Sequence, residues 1–253
     1  MTSINDYNRY GEELEKLLIL RTSPLAIKML AKEADVPEGA IRPKRDRGFH
    51  LAQCQAFAMS RRERVAIAML KEDHWCWAPL IAYGLVDPHL ADDLVQPVGQ
   101  VKILPKMEYG RYTGIVSAPL KTAKFAPDLV LIYSNTAQLR SILQVVKNKE
   151  GTLVTSQFDP IDSCVYSIVP TLLTGQYRIT LPDPGENERA MAGEDEIIFS
   201  VPPDKVAPLA SGLREFEERK RGYIHLDLEM RPDFPQPEFY RKLFRVWGLD
   251  VAE

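Results

Sequence analysis

Hydrophobic positions change period several times along this chain, and each change marks an element. Tyr7, Tyr10, Leu14, Leu17 and Leu18 recur at helical spacing with Glu12, Glu13 and Glu15 between them, which predicts an amphipathic helix over residues 4–20. A β-like apolar run, SPLAIKML (23–30), follows. The next stretch, KEADVPEGAIRPKRDRG (32–48), is rich in Pro, Gly and charge and reads as a loop. Helical spacing returns in FHLAQCQAFAMSRR (49–62), with Cys54 inside it. RVAIAML (64–70) reads as a second strand, and HWCWAPLIAYGLVD (74–87) as a helix that Gly84 helps to end.

Residues 88–127 carry several prolines and two short β-like runs, GQVKILP and TGIVSAP. PDLVLIYS (127–134) is the clearest strand. TAQLRSILQVVKNKEG (136–151) is the clearest helix, with Leu139, Ile142, Leu143 and Val146 on one face and a glycine after its last turn. In DPIDSCVYSIVPTLLTG, Asp162 or Ser163 can cap a helix that holds Cys164 in its first turn and runs to Gly175. YRITLPDPG and DEIIFSVP read as two strands around a turn-rich insert. DKVAPLASGLREFEERKR (204–221) is a further helix, and DFPQPEFYRKLFRVWGL ends in a short aromatic-rich amphipathic one. Helices and strands mix without a regular β-α-β-α rhythm. The expected fold is therefore α+β, a mixed sheet with helices packed on it in a single domain over 1–253, with α/β as the runner-up.

Composition narrows the function classes. Of the 253 residues 45% are hydrophobic and 26% charged, which suits an ordinary globular protein with a sizeable core. A net charge of −3 argues against a general nucleic-acid binder, whose surface needs a large basic excess. The N-terminus has neither a basic segment nor an apolar one of signal type, and no apolar run is long enough to span a membrane. A cytoplasmic location is expected, with its thiols kept reduced. No G-x-G-x-x-G, phosphate-loop, G-x-S-x-G or H-E-x-x-H motif occurs, which removes the familiar dinucleotide, nucleoside-triphosphate, hydrolase and zinc-protease readings.

The remaining chemistry centres on three cysteines, Cys54, Cys76 and Cys164. Their long separations make no C-x-x-C pair, so spacing alone predicts no metal. Cys76 and Cys164 share a local setting, the first turn of a predicted helix behind an acidic or capping residue, where free N–H groups favour a thiolate. Plain packing is the alternative, because free cysteine behaves as a small hydrophobe. Two cationic features accompany them. Arg42, Lys44, Arg45 and Arg47 cluster in IRPKRDRG, either as a solvated loop or as a grip on an anionic substrate. Lys28 lies inside an apolar strand, where it needs a partner such as Glu194 or Asp195, or a substrate.

Several phrases together, SPLAIKML, FHLAQCQAFAMSRR, HWCWAPLIAYG and SCVYSIVPTLLTGQYRITLPDPGENERAMAGEDEIIFSVP, resemble the bacterial and archaeal domain-of-unknown-function family 169 over roughly residues 20–215. The resemblance puts Lys28, Cys54, Gln55, Cys76, Pro170, Gly175, Glu194, Asp195 and Glu196 at family-like positions. Where relatives more often have Cys-Pro or Cys-Gly, this chain has Cys76 followed by Trp77. The family carries no activity, but it implies that the three cysteines sit on matched segments of one domain.

If the three converge, they can hold zinc with one open position or a [4Fe–4S] cluster with one iron free for substrate. An all-thiolate set is soft, which favours the cluster, and Trp75, Trp77 and Phe49 would give it an apolar shell. Zinc is the alternative, with His50 or His74 completing a mixed site. The resulting expectation is a lyase- or hydratase-type enzyme acting on a small anionic molecule. Lys28 and Arg47 would orient charge in it, and a homo-oligomer is left open. The rivals are a metal-free pocket lined by tryptophan, and a thiol enzyme whose Cys76 is activated by His74 or Asp73.

Overall fold

The computed structural model describes residues 2–91, 103–223 and 236–249. Its centre is a six-stranded sheet formed by β1 (Leu25–Leu30), β2 (Ile67–Leu70), β3 (Gly114–Pro119), β4 (Leu129–Ser134), β5 (Arg178–Thr180) and β6 (Ile197–Val201). The spatial order is β2-β3-β1-β4-β6-β5, and every pairing is antiparallel. The α+β class stands, with an antiparallel sheet where a mixed one was expected.

Both faces of the sheet are buried, which explains why its strands read as continuous apolar runs. Ala26, Leu30, Val116, Val130, Ile132 and Phe199 point to one side, where α1 (Ile4–Leu18), α5 (Thr136–Glu150) and α9 (Val206–Glu218) supply Leu14, Leu18, Ile142, Val145, Leu209 and Leu213. Leu25, Ile27, Met69, Ile115, Leu131 and Ile198 point to the other side. There they meet α3 (Gln53–Ala58), α4 (Trp77–Ala82), α6 (Ser163–Tyr166) and α7 (Val169–Thr174) through Phe57, Ala78, Ile81, Val165 and Val169. These short helices position the candidate site.

Several boundaries differ from the sequence expectation for local reasons. The loop 32–48 contains a 3₁₀ turn, Glu33–Asp35, and a short helix α2 (Pro43–Arg47), set by proline at its first position and by Gly48 in the left-handed region at its end. The helix expected over 49–62 starts at Gln53 and closes in a π turn, Met59–Glu63. One helix was expected from Cys164 to Gly175; two form, α6 and α7, because Pro170, near the start of α7, has no N–H to continue the ladder from α6. The turn-rich insert between β5 and β6 holds α8 (Pro184–Ala190), capped by Asp183, whose side chain accepts from the Glu186 N–H at 2.7 Å. Gly99–Lys102 of GQVKILP lie outside the described residues, and Ile103–Pro105 form no strand. The terminal helix α10 (Glu238–Val246) is amphipathic as expected and buries none of its residues.

Candidate functional site

The three cysteines reach one place because three helices begin there. Cys54 is the second residue of α3, Cys76 precedes the first residue of α4, and Cys164 is the second residue of α6. All three line one cavity of about 400 Å³, together with Trp77, Asp162, Asp183, Glu188 and Arg189. Cys54 and Cys164 are buried and Cys76 is half-buried. Segments separated by more than twenty residues in one case and by more than eighty in the other thus share a wall.

Burial dominates the thiols. It pushes Cys54 up to about 12, with the nearby Glu186 and Asp183 carboxylates adding to the effect, and it holds Cys164 well above the ordinary range, helped by Cys54 and Cys76. Burial also raises Cys76, against a smaller opposing pull from the Ala78 N–H. Helix starts were expected to favour the thiolate, and desolvation outweighs them here. A cation bound by such thiols would displace their protons to solvent, so metal uptake would release protons.

The rest of the wall is charged. The Arg189 guanidinium lies over the Trp75 ring at 5.2 Å from its centroid and lowers the cost of ionising Cys54 and Cys76. Gly185 faces the same guanidinium, and a Cβ there would collide with it. Asp162, in left-handed backbone at φ 60°, has its carboxyl raised to about 6 by burial and by Asp159 and Asp183. An acid held above the usual carboxylate range therefore sits on the cavity wall.

Behind the cysteines runs a buried polar network. Tyr133 Oη donates to Glu186 Oε1 at 2.6 Å, and Ser163 Oγ donates to Glu186 Oε2 at 2.6 Å. The Ser163 N–H donates to Asp183 Oδ2 at 2.8 Å, and Tyr83 Oη donates to the Cys164 carbonyl at 2.8 Å. These bonds fix α6 against α8 and β4. Burial raises Glu186 all the same, with the two hydroxyl donors opposing it.

Lys28, Arg47 and His74 are placed elsewhere. Lys28 lines a separate cavity with Met107, Arg111 and Asp128; its expected partner Asp195 is held by Arg21 instead. Arg47 is exposed at the end of α2 and is not among the residues lining the cysteine cavity. His74 is buried against the Tyr83 ring, neither ring nitrogen has a hydrogen-bond partner, and desolvation lowers it to about 4. Asp73 is committed to the Arg42 guanidinium at 2.6 Å and to the N–H groups of Lys44 and Leu70. Arg42 itself is buried among Asp73, Glu72 and Glu33, so it holds α2 in place rather than gripping a substrate. Trp75, Phe49 and Trp77 are all exposed, and of the three Trp77 reaches the cavity wall.

Sequence reasoning passed over Arg189, Asp183, Glu186 and Tyr133. The signal for two of them was present: DPGE carries an acidic cap, a proline and a Glu three residues on, the signature of a helix start. Among the described residues no group of three or more His, Cys, Asp or Glu side chains is placed to hold a metal ion.

The family profile described as Uncharacterised ArCR matches residues 13–212. An uncharacterised protein of Methanocaldococcus jannaschii is 21% identical over 230 residues, covering 85% of this chain and 97% of that protein. No solved structure matches.

Proposed function

We propose that this chain, which belongs to domain-of-unknown-function family 169, is an iron–sulfur protein that holds a [4Fe–4S] cluster on Cys54, Cys76 and Cys164. The cluster would leave one iron open to a small anionic substrate, in a reaction of the lyase or hydratase type. The observation that carries the reading is the single cavity lined by three thiols from distant segments. Soft sulfur donors suit iron–sulfur centres. A lone zinc ion, with Zn–S bonds near 2.3 Å, would draw its thiolates to within roughly 4 Å of one another. In a [4Fe–4S] centre each sulfur would instead bind its own iron. When bound, an open iron supplies Lewis-acid polarisation of a substrate oxygen or sulfur.

The chain's own residues then have definable parts. Arg189, held on the Trp75 face, offers its guanidinium to an anionic group, the part first expected of Lys28 and Arg47. Asp162, its carboxyl raised to about 6, can give or take a proton there. The Tyr133–Glu186–Ser163 network holds the Cys164 helix in register without touching substrate. The rival readings have less support. Charged groups on the wall suit a plain apolar pocket poorly, and the nucleophile reading needs a base that His74 and Asp73, both engaged in packing or ion pairs, do not provide.

The test is anaerobic purification with iron and acid-labile sulfide analysis and a visible spectrum, on the parent and on Cys76→Ala. The expected result is about four irons and four sulfides per chain with broad absorbance near ~400 nm, lost in the variant. Colourless, metal-free protein that stays so after reconstitution with iron and sulfide would overturn the reading. Stoichiometric zinc would replace it with the zinc alternative.

A further inference from the structure

A second cavity, of about 260 Å³, lies where the turn after α1 meets the π turn, and four arginines line it: Arg21, Arg61, Arg62 and Arg64. Two of them already have a carboxylate. Asp195 binds Arg21 through two hydrogen bonds, and Glu196 binds Arg61 at 2.7 and 2.9 Å. The other two are under-compensated. Arg62 stands 3.7 Å from Glu196, whose oxygens Arg61 holds, and it donates to the Met191 carbonyl at 2.6 Å. Arg64 forms no ion pair among the described residues. Like charges packed this closely repel one another, and an anion relieves them.

Arg61 is 1% exposed, and both its terminal nitrogens are held by Glu196, so the groups free to meet a ligand are the outer guanidiniums, Arg62 and Arg64. A phosphate group offers acceptor oxygens enough to take paired hydrogen bonds from both at once.

We propose that this cavity binds the phosphate group of a small phosphorylated ligand, with Arg62 and Arg64 donating to it. The site is separate from the cysteine cavity and does not depend on the cluster. Titration calorimetry with inorganic phosphate, at fixed ionic strength and pH 7, tests it on the parent, on the double variant Arg62→Ala/Arg64→Ala and on Cys76→Ala. Saturable binding to the parent is expected, weakened by at least about tenfold in the double variant and unchanged in Cys76→Ala. Both substituted arginines reach the surface, so circular dichroism and thermal melting will show whether the variant keeps its fold. Absence of saturable binding to the parent, or equal affinity in a folded double variant, overturns the site. Malonate binding as tightly as phosphate overturns the phosphate assignment.

Discussion

Glu196 meets Arg61 inside the protein, with both side chains almost fully covered, and the pair shows how a single residue ties stability to pH. The Arg61 hydrogen bonds and charge hold the Glu196 carboxyl below its usual value of 4.5, against the burial that would raise it. A carboxyl with a depressed folded value stabilises the fold fully above pH ~4.5, and that contribution fades as the pH falls through the folded value. Glu196→Gln is therefore expected to cost about 3–5 kcal/mol at pH 7, because it leaves the Arg61 charge buried and unpaired. It should also flatten the loss of stability below pH ~4.5. Urea denaturation of parent and variant at pH 7, 5 and 4 would check both, and a variant with unchanged acid sensitivity would contradict the assignment. At the same scale, the lysine that attracted notice in the sequence, Lys28, is accounted for by Asp128 nearby, whereas the arginines in SRRER read only as ordinary charge. What made them special was burial and company, neither of which one sequence displays.

Elements meet more closely than their lengths suggest. Gly11 in the middle of α1 lies against the backbone at Lys121, where a Cβ would come within 2.6 Å of the amide nitrogen, and Asn8 secures the same approach by donating to the Leu120 and Ala123 carbonyls at 2.8 and 3.1 Å. In an exposed helix Gly→Ala stabilises by up to about 1 kcal/mol. Here Gly11→Ala should reverse sign and destabilise by about 1–3 kcal/mol, since rigid backbone has to move. A thermal melt showing the variant equal to or above the parent would refute the close contact. Periodicity made α1, β1, β4, α5 and β6 legible, because long apolar stripes and short apolar runs are what sheet-packed elements require. It could not show that α3 begins at Gln53, that Pro170 divides α6 from α7, or that α8 exists, since each of these depends on two or three residues rather than a stripe. The cysteines were legible as residue types and their meeting was not, since it depends on helix starts brought together by the sheet.

At the scale of the molecule, the sheet carries a helical layer on each face, and Tyr133 on β4 stands between the two candidate sites. The Arg61 guanidinium, which lines the arginine cavity, stacks 3.8 Å over the ring of Tyr133, and Tyr133 reaches the cysteine cavity through Glu186 and Ser163. Tyr133→Phe removes the hydroxyl while keeping the stacked ring. It should lower stability by about 1–3 kcal/mol by leaving a Glu186 oxygen unmatched in the interior. A chemical-denaturation midpoint within error of the parent would show that the hydroxyl carries no such burden.

The strand order also has a consequence in time. β6 is the last strand in the sequence, yet it lies inside the sheet, between β4 and β5, so β5 gains its sheet neighbour only when residues 197–201 arrive. α6, α7 and α8, which bring Cys164, Asp183 and Arg189, all precede it. A ribosome releasing this chain would expose two of the three thiols early, on segments that cannot yet be closed over. The third would be locked in only by the insertion of β6, so a half-made chain presents reactive sulfur without a finished pocket around it.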